Sequence, residues 1–220
     1  MKEKIKNIII CLLIILSMFV ATYYISMFLG FISNDEIQNL IANLIYLIIL
    51  IYIFRKEIFF SFKNIKGNFK KILNIGFKYW SLGIFIMIVS NLVINLFIFK
   101  GSIAENEEMA RSIIIASPIY GFISSVIIAP FLEEIIFRVS LKRVFNNKYI
   151  YAVFSGIIFG LMHAISGSPT WLDLVYIIPY GALGFAFGLM YAETDNVFTS
   201  VIMHALHNLM SFSLVFILLG

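Results

Sequence analysis

Two adjacent glutamates, Glu133 and Glu134, stand in the apolar run Pro130-Phe131-Leu132-Glu133-Glu134-Ile135-Ile136-Phe137-Arg138. On a helix, Glu134 and Arg138 share a face at i and i+4 with the acid first, the favoured order for a pair that neutralises itself. Glu133 points about 100° away from Glu134 and has no cation near it in sequence. A carboxylate left over in this way is a candidate general base. Downstream, His204 and Asn208 are again at i and i+4, so one face of an otherwise apolar helix carries an imidazole and a carboxamide. Such groups can donate hydrogen bonds to an oxyanion, and the imidazole can also ligate a metal. His207, three residues from His204, is read as an interhelical hydrogen bond. The third histidine closes Phe159-Gly160-Leu161-Met162-His163, where Phe159 lies one turn before the imidazole and can pack beside it.

The elements that must hold these groups are membrane helices. Of 220 residues, 61% are hydrophobic and 13% charged, whereas a soluble domain is roughly 45–50% apolar and about 25% charged. The charges are bunched between long apolar runs, which excludes a water-soluble enzyme, a DNA-binding domain and a disordered hub. The formal charge of +4 is therefore topology information and not a nucleic-acid footprint. The single cysteine, Cys11, cannot form an intramolecular disulfide. The run Ile8–Phe31 is too long for a signal-peptide core and lacks a small-residue cleavage site, so it reads as a retained first helix.

Some 20 apolar residues cross a hydrocarbon core of about 30 Å. Ile8–Phe31, Ile37–Phe54, Tyr79–Phe99, Tyr151–Ile165, Leu172–Tyr191 and Val197–Leu219 satisfy or approach this, and Ile113–Phe145 is a longer region interrupted by Pro118 and Pro130. Pro130 is read as a break or a helix start. The fold expected is an all-α polytopic bundle of seven transmembrane helices, or eight if the Ile113–Phe145 region divides. Lys2, Lys4 and Lys6, the seven bases from Arg55 to Lys78, and Lys142, Arg143 and Lys148 alternate with base-poor loops, which puts the N-terminus in the cytoplasm. The Lys100–Arg111 loop falls outside, the Lys63–Lys71 stretch reads as a solvated or headgroup-facing loop, and Glu193–Asn196 is an inner loop without a base. Residues 1–110 form a set of N-terminal helices and residues 111–220 the part that carries the chemistry. Counted along the helices, Glu133 lies about 15 Å from Arg143, His204 about 12 Å from Asn196 and His163 about 22 Å from Lys148, depths that permit the three to meet.

The order Glu-Glu-x-x-x-Arg, Phe-x-x-x-His and His-x-x-x-Asn on successive helices resembles the CAAX prenyl protease and bacteriocin-processing (CPBP, formerly Abi) family of intramembrane proteases. The resemblance runs from about Ser125 to Ser213. It implies a peptidase in which Glu133 activates a water with help from His163, His204 and Asn208 stabilise the oxyanion, and Glu134 with Arg138 holds the helix. It leaves the cofactor open: the enzyme is either a metal-free glutamate-type protease or a metalloprotease with zinc on Glu133, His163 and His204, and no HExxH helix strengthens the zinc case. The Lys-, Ile-, Asn- and Phe-rich composition points to an AT-rich bacterial genome, hence to the bacterial cell membrane. The partners expected are the lipid bilayer and a peptide precursor, bacteriocin or membrane-protein substrate, with no nucleic acid. The non-enzymatic alternatives are a bacteriocin-immunity or scaffold protein that keeps the polar cluster as helix glue, and a small transporter that uses the acids as a proton relay.

Overall fold

Long apolar runs with few charges produce long helices, and in the computed structural model they do so throughout: residues 2–99, 105–165 and 170–219 are described, and among them there are nine helices and no strand. These are α1 (Lys2–Phe28), α2 (Asp35–Ile53), α3 (Arg55–Lys63), α4 (Ile65–Phe99), α5 (Glu105–Ala116), α6 (Pro118–Ser140), α7 (Lys148–Ala164), α8 (Trp171–Thr194) and α9 (Val197–Leu219). Six of them, α1, α2, α4, α6, α8 and α9, are long and apolar enough to cross a membrane. Leu13, Phe19 and Tyr23 on α1, and Phe85 and Leu92 on α4, are exposed, the surface a lipid-facing helix presents. With 17 residues, α7 is about 25 Å long, shorter than a usual span; one face, with Tyr151, Ser155 and Phe159, is buried, and the other, with Val153, Phe154 and Ile157, is exposed.

Three boundaries differ from the sequence reading. The Ile113–Phe145 region divides at Ser117–Pro118, not at Pro130. Ser117 leaves the helical region (φ −143°, ψ 75°) and Pro118 begins α6, where its missing N–H is no loss. Pro130 lies inside α6, tolerated because the hydrogen bonding around it shifts to π register over Phe122–Ile128 and again over Ile135–Ser140. The expected loop between Arg55 and Lys78 is helical, as α3 and the first turns of α4. Its lysines are good helix formers, and Ile72 among them is fully buried. The Lys100–Arg111 loop, expected outside, is helical from Glu105; residues 100–104 lie outside the described residues.

The polar helix ends sort into two sets. Asn7 Nδ2 donates to the Arg143 carbonyl at 3.3 Å, Arg143 pairs with Glu57, and Asn196 Nδ2 donates to the Ser61 carbonyl at 2.8 Å. The chain start, α3, the α6–α7 loop and the α8–α9 turn therefore share one end. Glu193, in the loop that lacked a base, has Lys148 Nζ 4.0 Å away and accepts from Tyr79 Oη. At the opposite end the Ser117 hydroxyl donates to Glu36.

The closest packing joins α7 to α8 and runs through glycines that the sequence reading did not single out. Gly156 and Gly160 on α7 meet Gly181 and Gly184 on α8 backbone to backbone, the close approach small residues allow between membrane helices. A Cβ on Gly160 would stand 2.5 Å from the Ile177 carbonyl oxygen and 2.8 Å from the Gly181 nitrogen. We expect Gly160→Ala to cost about 1–3 kcal/mol by overpacking. Gly67→Ala, where a Cβ meets nothing within 4 Å, is the control and should not lower the unfolding temperature in detergent.

Candidate active site

Three helices bring the chemistry-bearing residues together. Glu133 and Glu134 come from α6, His163 from the last turn of α7 and His204 with Asn208 from α9. The Glu133 Oε2 atom lies 3.8 Å from His163 Nε2 and 3.9 Å from His204 Nε2, and it is buried without a hydrogen-bond partner. The convergence that the depth estimate permitted is thus present, with α7 running far enough for His163 to reach the level of α6.

The other nitrogen of each histidine is held, and by different partners. His163 Nδ1 lies 2.9 Å from the Phe159 carbonyl, which only accepts, so Nδ1 carries the proton. His204 Nδ1 lies 3.0 Å from Glu134 Oε1. With Glu134 ionised against Arg138, this nitrogen too is the donor. Both Nε2 atoms are therefore turned toward Glu133. Aromatic rings fix the ring planes: His163 lies between Phe159 and Tyr180 at 4.3 and 5.1 Å between centroids, and His204 stacks on Phe187 at 4.9 Å.

Glu134 and Arg138 are wholly buried and form a two-pronged pair, Nε to Oε2 at 2.9 Å and a terminal nitrogen to Oε1 at 3.1 Å. The remaining guanidinium edge donates to Ser155 Oγ at 2.6 Å, and Ser155 in turn donates to the Phe137 carbonyl at 3.1 Å. The guanidinium also sits over the Phe159 ring, 4.9 Å from its centroid. Ser155, Phe187 and Tyr180 escaped the sequence reading. Only their spacing to glycines and to Phe159 on the same helices could have suggested them.

Asn208 is not free. Its Nδ2 donates to the Ser125 carbonyl of α6 at 2.8 Å, which uses one of its two amide hydrogens. His207, expected to bond another helix, has a buried Nδ1 without a partner. Two cavities meet at this cluster. One of about 370 Å³ is lined by His163, His204, His207 and Asn208 with Leu183 and Phe187. The other, about 350 Å³, lies among α1, α2 and α6 and is lined by Glu133, Ser124, Asn43, Thr22 and Tyr46. Ser125 borders both.

Zinc on Glu133, His163 and His204 would need all three ligand atoms about 2.0–2.2 Å from one point. Among the described residues no group of three His, Cys, Asp or Glu side chains has a geometry that could hold a metal ion.

Compared with known proteins, residues 115–210 match the family model described as "Type II CAAX prenyl endopeptidase Rce1-like". The chain is 33% identical over 114 residues to "Putative membrane peptidase YdiL" of Bacillus subtilis (strain 168), covering 49% of this chain and 42% of that protein. It is 41% identical over 51 residues to UPF0177 protein YajF of Lactococcus lactis subsp. lactis (strain IL1403), 23% of this chain and 24% of the relative. UPF0177 protein YxdF of the same strain is 26% identical over 139 residues, 60% of this chain and 73% of that protein. The chain thus spans less than half the length of the first two of these relatives. No solved structure matches it.

Proposed function

The chain belongs, through residues 115–210, to the Rce1-like CAAX prenyl endopeptidase (CPBP) family, and from that premise we propose that it is an intramembrane endopeptidase of a bacterial cell membrane, its N-terminus in the cytoplasm. Residues 111–220 carry the catalysis, and residues 1–110 supply packing and one wall of the second cavity. The substrate class is a peptide or membrane protein whose scissile bond reaches the cavity lined by His163, His204 and Asn208.

One observation carries this reading: two imidazole nitrogens face one unpartnered carboxylate oxygen, and each imidazole is anchored through its other nitrogen. A water among these groups donates one hydrogen to Glu133 and the other to His163 Nε2, and its oxygen attacks the peptide carbonyl carbon as Glu133 takes the proton. The C–N bond then breaks, and the proton held by Glu133 passes to the leaving amine. The anchors divide the work between the histidines. His163, bonded to a neutral carbonyl, serves as an acceptor. His204, held through Nδ1 by a carboxylate, is assigned to the oxyanion, to which it donates from Nε2 when that nitrogen carries a proton. The second amide hydrogen of Asn208 completes that pair of donors.

If this is the role of Asn208, Asn208→Ala lowers kcat by about 10²–10³ with little change in KM, as loss of a donor made only in the transition state does. The measurement is cleavage of internally quenched apolar peptides by the purified protein in micelles, beside metal analysis by mass spectrometry. Near-normal turnover in Asn208→Ala, or a stoichiometric metal that His204→Ala removes, would overturn the oxyanion assignment in favour of a metal site.

A further inference from the structure

Pro130 sits in the middle of α6, three residues before Glu133, where a proline removes a backbone donor and crowds the preceding turn. Its effect on the hydrogen-bond ladder can be followed atom by atom. In α register the Ser125 carbonyl would accept from the N–H of Ala129, but that N–H is given to the Ser124 carbonyl, one residue further back. In this shifted register the donor due to Ser125 is residue 130, and proline has none. The Ser125 carbonyl is therefore left without a donor from its own helix. Asn208 Nδ2 fills the position from α9 at 2.8 Å.

We propose that Pro130 is a positioning residue for the hydrolysis: by withholding an amide hydrogen it reserves the Ser125 carbonyl for Asn208 and so sets the orientation of that carboxamide. An acceptor can face only the nitrogen of an amide, so the bond decides which way Asn208 is turned. It also spends one hydrogen of Nδ2 and leaves the second for the cavity that Asn208 lines. A freely rotating carboxamide presents its oxygen as readily as its nitrogen, and an oxygen repels a developing oxyanion.

This inference rests on the peptidase reading for its kinetic consequence but not for the hydrogen bond, and the experiment separates the two. Pro130→Ala, Asn208→Ala, the double variant and Glu133→Gln are compared as full-length protein in micelles, by thermal unfolding and by cleavage of an internally quenched apolar peptide. Alanine at 130 restores a helix former with an N–H, so Pro130→Ala should unfold no earlier than the wild-type protein. Asn208→Ala should lower the unfolding temperature by about 2–6 °C where Pro130 is present, because it strands a carbonyl, and by nothing measurable where alanine supplies the donor. In turnover, Pro130→Ala should reduce kcat about tenfold with KM unchanged, and should reduce it no further in the Asn208→Ala background, since it acts through Asn208.

An equal temperature cost of Asn208→Ala in both backgrounds, or a kcat loss of the same size with and without Asn208, would overturn the proposal. A general weakening of the helix would move KM and stability as well. Full activity in Glu133→Gln would instead remove the peptidase reading, and the unfolding cycle, which needs no turnover, would still decide on Pro130.

Discussion

Glu133→Gln should reduce peptide cleavage by about 10²–10⁴, the range typical of a lost general base, while leaving the protein as stable as before. The amide keeps the shape of the carboxylate but cannot take a proton from water. Stability is preserved for a specific reason: Glu133 Oε2 has no hydrogen-bond partner and no ion pair with Lys or Arg, so nothing that holds α6 in place is removed. Kinetics and thermal unfolding of the same preparation check both halves. Activity within fivefold of the wild type would take the base away from Glu133, and a fall in unfolding temperature as large as that of Glu134→Gln would make the two acids one structural cluster.

The opposite pattern is expected one turn along the same helix. Arg138→Met removes the cation from a fully buried carboxylate and should cost about 3–5 kcal/mol, a large share of the 5–15 kcal/mol that holds an ordinary domain together. Glu134 would keep its charge with only His204 and the Ser200 hydroxyl beside it, and Ser155 would lose the Arg138 donor and keep only its own bond to the Phe137 carbonyl. Membrane abundance should therefore drop along with activity. Glu134→Gln should act in the same direction. Combining Arg138→Met with Glu134→Gln should recover much of the abundance without the activity, because removing both members of a buried pair is far cheaper than removing one. Additive losses, with the double variant worse than either single by the full cost of the other, measured by quantitative blotting and unfolding in detergent, would show that the pair contributes little.

The two glutamates could be told apart in the sequence because the i, i+4 relation to Arg138 is a property of any helix and needs no tertiary knowledge. The same holds for the shared face of His204 and Asn208. What the spacing could not contain was the partner of each group. His163 is held by a carbonyl of its own helix and His204 by a carboxylate of another, and that difference, which separates their chemistry, exists only once α6 and α9 are packed. The two prolines show the same limit. Both interrupt an apolar run, yet Pro118 starts a helix and Pro130 is absorbed by π register, and residue type alone does not distinguish them. Membrane span count suffered from length: α7 reads as apolar as its neighbours but is only 17 residues long, and the glycines that let it nest against α8 become visible as contacts, not as composition.

The Glu134–Arg138 pair lies within a single helix, and this bears on how the protein is made. When α6 leaves the ribosome and enters the bilayer, α9 has not yet been synthesised, so no residue of α9 can offset a charge on α6. An arginine and a glutamate one turn apart bring their own compensation, and the segment partitions with its most costly charge already matched. Glu133 is then the single acid that enters without a counterpart, and its histidine neighbours arrive with later segments. The order of synthesis thus separates two tasks: α6 is made insertable by a contact local to it, and the cluster of Glu133 with the two histidines closes only when α9 docks.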